Sequence, residues 1–92
     1  MEQNNNKMVS PHELARKFEF QIKETVAKRF SIAFDDLFLL LEDKDGVYLS
    51  EEESNVLCCF VVGQKNGFLY LVTANIVENG ISLNNFKSDI IS

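Results

Sequence analysis

The chain has little of what most enzyme chemistry requires. Its 92 residues include one histidine, one proline, no tryptophan and only two cysteines, the neighbours Cys58 and Cys59. His12 falls in the first turn of an expected helix, where an imidazole is solvated, and there is no second histidine to share a metal ion. Adjacent residues on a strand point to opposite faces, so Cys58 and Cys59 are expected neither to bridge each other nor to hold one ion together. Both read as reduced thiols. The four glycines, Gly46, Gly63, Gly67 and Gly80, are scattered at turn positions and form no phosphate-cradling G-x-x-x-x-G-K-S/T pattern. No apolar run approaches the roughly 18 residues of a membrane helix. The opening MEQNNNKMVS lacks the apolar centre of a secretory signal, and no Asn-x-Ser/Thr acceptor occurs. These absences predict a protein without catalytic site, metal or cofactor, located in the cytoplasm and in no membrane.

What is present is enough for one core. The composition is 46% hydrophobic with eight phenylalanines, well above that of a disordered chain. A chain this short builds a single domain, expected over 10–92, after a polar flexible tail over 1–9 that has nothing to bury. Ser10-Pro11-His12-Glu13 is a helix start: a capping hydroxyl, proline at the first helical position and glutamate three residues after the cap. Leu14, Ala15, Phe18, Ile22, Val26 and Phe30 then recur at helical spacing with charged residues between them. The pattern predicts one amphipathic helix of about 20 residues, with Phe20 off its apolar stripe.

Leu37-Phe38-Leu39-Leu40-Leu41 fits a buried strand or a short helix by periodicity. A strand is preferred, because the turn composition of Glu42-Asp43-Lys44-Asp45-Gly46 and the β-prone Val47-Tyr48-Leu49 that follow suggest a hairpin. Val56 to Val62 and Phe68 to Val77 read as two strands around an Asn66-Gly67 turn. Asn79-Gly80 marks another turn before Ile81-Ser82-Leu83, and Phe86 to Ser92 offer Ile90 and Ile91 for packing back on the core. The fold class is therefore α+β, with one long N-terminal helix packed on an antiparallel sheet of three to five strands. Both faces of the central strands are apolar: Val56, Cys58, Phe60 and Val62 oppose Leu57, Cys59 and Val61. One helix covers one face. The other is expected to be covered by the 31–41 segment, by the C-terminal residues or by a second copy, and a homodimer is the expected state.

Charge is unevenly distributed. Residues 1–34 carry a net +2, residues 54–92 zero, and residues 35–53 a net -7 from Asp35, Asp36, Glu42, Asp43, Asp45, Glu51, Glu52 and Glu53 against Lys44. Asp43-Lys44-Asp45-Gly46 does not make a calcium loop: with Gly46 at the sixth position, Leu41 falls where the first oxygen ligand belongs. A chain so charged is a poor candidate for binding nucleic acid directly, since phosphate contacts come mainly from Lys and Arg. The eight acids could solely solubilise the domain, or could imitate phosphates and bind a basic, DNA-binding host protein. Carboxylates two apart on a strand would lie roughly 6.6 Å apart, on the order of the phosphate spacing.

In length, and in the acidity concentrated at these eight positions, the chain resembles the small bacteriophage anti-restriction proteins that mimic DNA and block host restriction nucleases. The resemblance implies an acidic inhibitor acting in the host cytoplasm on a nucleic-acid-binding surface, with the eight acids as its contact residues. It rests on no shared motif. The alternative is a structural or adaptor subunit recognised through an apolar sheet face.

Overall fold

The computed structural model describes residues 10–53, 55–78, 80–82 and 86–91. The tail expected over 1–9, Asn79 of the expected turn and Leu83 of the expected third strand lie outside them. The helix begins at Pro11 as the sequence predicts. The Ser10 hydroxyl does not cap it; the Ser10 carbonyl instead accepts the Leu14 N–H at 3.1 Å.

The single long helix is a correction. In its place stand two helices, α1 Pro11–Lys17 and α2 Glu19–Phe30, meeting at Phe18. Phe18 has φ -107° and ψ 22°, far enough from the helical ψ near -42° to redirect the next turn. Neither proline nor glycine causes this break. The Phe18 ring packs where Gly80 carries no side chain: a Cβ there would come within 2.7 Å of ring atom Cζ. The break lets α1 lie against the strand Val47–Leu49 while α2 lies against Leu37–Leu39, Leu69–Val77 and Lys87–Ile90. Phe20, off the apolar stripe, meets Phe34 with ring centroids 5.0 Å apart, and α2 ends at Ser31 in a left-handed turn with φ 55°.

The sheet also exceeds the expected three to five strands. Among the described residues it has six, all antiparallel: β1 Leu37–Leu39, β2 Val47–Leu49, β3 Val56–Gly63, β4 Leu69–Val77, β5 Gly80–Ile81 and β6 Lys87–Ile90. They make a sheet only four ladders wide, because each outer ladder consists of two pieces. β1 and β2 both pair with the same edge of β3, and β5 and β6 both pair with β4. The expected β1–β2 hairpin is therefore replaced by two nearly collinear pieces. Leu40 donates its N–H to the Phe60 carbonyl and Phe60 donates its own to the Gly46 carbonyl. Residues 41–45 thus bud out as a loop from one interrupted edge strand. This is possible because Gly46, lacking a Cβ, lets its backbone close against Leu40.

The core lies between the helices and one sheet face. Leu14, Ala15, Ile22 and Val26 pack on Leu37, Leu39, Val47, Leu57, Cys59, Val61, Tyr70, Val72, Ala74 and Ile81. Tyr70 is the largest fully buried side chain. It stacks obliquely on Phe30 at 4.9 Å between centroids, and its hydroxyl accepts a hydrogen bond from the Asn66 amide at 2.9 Å. Among the described residues no helix is long and apolar enough to cross a membrane.

Candidate partner-binding surface

The eight acids are brought to one edge of the sheet, but not by one mechanism. Asp35 and Asp36 lie in a short 3-10 turn, Phe34–Asp36, just before β1. Glu42, Asp43 and Asp45 lie on the 41–45 loop, and Glu51, Glu52 and Glu53 on the turn after β2. None is in a strand, so the expected strand spacing between carboxylates does not apply to them. Their common position follows from the interrupted edge. β1 and β2 together run opposite β3 from Gly63 to Leu57, about 20 Å at 3.4 Å per residue, with acids at both ends and in the middle.

Local hydrogen bonds fix these turns. The Asp43 carboxylate accepts the Asp45 N–H at 2.9 Å, a side-chain turn that shapes the loop, and the Asp43 carbonyl accepts the Gly46 N–H. His12 approaches the same carbonyl at 3.3 Å, tying the start of α1 to the acidic loop. The Ser50 hydroxyl accepts the N–H groups of Glu52 and Glu53, leaving the three glutamate side chains exposed. Among the described residues the ion pairs are Glu19 with Lys23 and Glu24 with Lys28, both on α2; the edge carboxylates take part in neither.

Asp36 differs from the other seven. Half-buried, its carboxylate accepts the Lys65 N–H at 3.1 and 3.2 Å, and its carbonyl accepts the Gln64 N–H. It clamps the β3–β4 loop to the start of β1. Asp36→Ala is expected to cost about 1–2 kcal/mol in urea unfolding, while Asp35→Ala at its exposed neighbour changes stability by less than about 0.5 kcal/mol. Equal effects at the two positions would rule out the clamp.

The second surface is the sheet face away from the helices. By strand alternation it carries Phe38, Tyr48, Val56, Cys58, Phe60, Val62, Leu69 and Leu71, and among the described residues no helix packs on it. Phe38 is 39% and Tyr48 38% exposed, and the Tyr48 and Phe60 rings lie 6.0 Å apart. The sequence had shown both faces to be apolar; the structure shows which one the helices leave open. Sequence reasoning missed Lys87, which stands on this face at the far edge, because the strand that places it was not anticipated.

The thiols are placed against reactivity. Cys59 faces the core, and burial, reinforced by the neighbouring Cys58, pushes its pKa up to about 12. Burial also raises Cys58, partly opposed by the neighbouring Tyr48 hydroxyl. Both are free and buried, and a reactive thiol needs the reverse, a lowered pKa with access to solvent. Among the described residues no three His, Cys, Asp or Glu side chains converge to hold a metal ion. An open cleft of about 300 Å³ lies between α2 and β6, lined by Thr25, Arg29, Phe86, Lys87, Ser88 and Asp89. Arg29 there already donates to the Ser88 carbonyl at 3.4 Å. Compared with known protein families, curated proteins and solved structures, the chain matches none of them.

Proposed function

We propose that the protein is a non-enzymatic inhibitor whose acidic edge occupies the nucleic-acid-binding surface of a basic partner, such as a restriction nuclease. The observation that carries this reading is the gathering of Asp35, Glu42, Asp43, Asp45, Glu51, Glu52 and Glu53, with Asp36 beneath them, along one edge. The seven contact acids less Lys44 leave a net -6 over about 20 Å, one charge per roughly 3.3 Å, near the 3.4 Å per charge of a single DNA strand. The turns hold the backbone while leaving the glutamate carboxylates to the solvent, as a decoy requires. Asp36 serves the fold and not the contact.

The test is inhibition of duplex cleavage by restriction nucleases at rising salt. The protein is expected to inhibit at low salt and to lose its hold steeply towards physiological ionic strength, where screening limits exposed charges to about 8 Å. A variant with Asp43, Asp45, Glu51, Glu52 and Glu53 changed to Asn or Gln is expected to remain folded and to lose inhibition. Unchanged inhibition by the folded five-site variant would defeat the mimic reading. The open apolar face favours a second reading, an adaptor whose partner binds there and whose affinity holds as salt rises.

A further inference from the structure

We propose that the open sheet face is covered by a second copy of the chain, packed face to face about a twofold axis parallel to the strands. The inference does not depend on what the acidic edge binds. Three features point to a copy of this chain as the occupant.

The first is self-complementarity. On the open face Tyr48, Cys58, Thr73 and Lys87 form one row across the four ladders, and Phe38, Val62 and Leu69 form another that Ile91 extends. Lys87 and Asp89 alternate with the buried Ser88 and so stand on this face. A rotation about the strand direction reverses each row upon itself. Tyr48 then lies over the partner's Lys87, a cation over an aromatic ring made twice by symmetry. Phe38 lies over the partner's Ile91, and Phe60 over the partner's Leu71. Asp89 falls over the partner's Leu40 and Gly46, which carry no charge.

The second is charge. The other face-to-face twofold, across the strands through the Phe60–Leu71 row, would stack the two acidic edges and place Asp89 over Asp89. The rotation along the strands sends the acidic edges to opposite sides, each above a β5–β6 edge where Lys87 and Asp89 cancel.

The third is area. Four ladders at about 4.8 Å and the eight residues of β3 at about 3.4 Å give a footprint of roughly 500 Å² per copy. Two copies bury at least about 1,000 Å², the lower bound for a specific interface, so the dimer is a weak one. Sheets packed this way sit about 10 Å apart with strands within about 30°.

Sedimentation equilibrium of the full chain at tens of micromolar tests this. A reversible dimer is expected, with a dissociation constant raised roughly tenfold or more by Leu71→Lys at the centre of the face and unaffected by Phe20→Lys on the helical side. Circular dichroism confirms that each variant is folded. Lys87→Met and Tyr48→Leu are each expected to weaken the dimer, and the double variant to weaken it no more than either alone, because both remove the same contact. A monomer at these concentrations overturns the proposal, as does a dimer indifferent to Leu71→Lys. Additive effects of Lys87→Met and Tyr48→Leu would overturn the rotation along the strands.

Discussion

Gly46→Ala is expected to destabilise the protein by about 3 kcal/mol, the upper part of the range for forcing extra atoms into a packed site. Gly46 is buried where the interrupted edge strand resumes. An added methyl would meet the Leu40 carbonyl oxygen and come within 2.7 Å of the Leu40 Cβ. Leu40 cannot retreat freely, since its N–H is bonded to the Phe60 carbonyl, nor can Gly46, whose carbonyl accepts the Phe60 N–H at 2.9 Å. Relief therefore means losing one of two backbone bonds to the central strand. For a domain of this size the loss corresponds to a fall in Tm of roughly 15 °C. Gly67→Ala provides the contrast: nothing lies near its position, but its φ is +72°, so the cost is roughly 1–2 kcal/mol of backbone strain alone. Thermal melts of both variants check this, and a Gly46→Ala protein melting within a few degrees of the parent would show that the two strand pieces are not pinched together.

The second large effect is alkaline. Cys59 holds its proton more tightly folded than unfolded, its pKa being pushed up to about 12 from an ordinary 9.0 by burial. A raised folded pKa gives stability that is complete below the unfolded value and lost as pH climbs towards the folded one. The contribution is therefore full below about pH 9 and falls by about 1.4 kcal/mol per unit above it, the loss reaching on the order of 4 kcal/mol near pH 12. Tyr48 and Cys58 shift in the same direction, chiefly through burial, but both lie on the sheet face away from the helices, where Tyr48 is open to solvent. Urea titrations between about pH 8 and about pH 11 are expected to show a descending slope for the parent that is much reduced in Cys59→Ala. Parallel slopes would mean that the thiol ionises without opening the core.

The parts of this fold written locally were legible. Pro11 starts a helix, the β-prone apolar runs Val56–Val62 and Leu69–Val77 make strands, and Asn66-Gly67 turns one into the other, with Gly67 at positive φ as that dipeptide favours. The features that sequence reasoning placed wrongly are set by distant contacts. Nothing in residues 14–22 announces a break at Phe18, because its counterpart is the bare backbone of Gly80. The collinear β1 and β2 were mistaken for a hairpin because Glu42-Asp43-Lys44-Asp45-Gly46 has the composition of a turn, and composition does not distinguish reversing the chain from pausing it. What separates the two is the close approach of Gly46 to Leu40. The acids were identifiable individually. Their alignment on one edge was not, since it depends on that same pause, and Asp36 could not be told from Asp35 without the loop it clamps.

The interruption of both outer ladders also governs what the sheet can recruit. Val56 to Val62 is an uncharged, β-prone run without proline, the kind of segment that seeds cross-β fibrils when its backbone is free. It is instead the second ladder of four, with hydrogen-bonding neighbours on both sides. The ladders that do face outward offer no more than four consecutive strand residues each, with acidic turns at either end of β1 and β2. A foreign strand seeking to extend the sheet meets a short, charged and kinked border. Fibril growth from the native state is thereby blocked at both sides, and the route to aggregation runs through detachment of β1 and β2, which would expose the β3 backbone along its length.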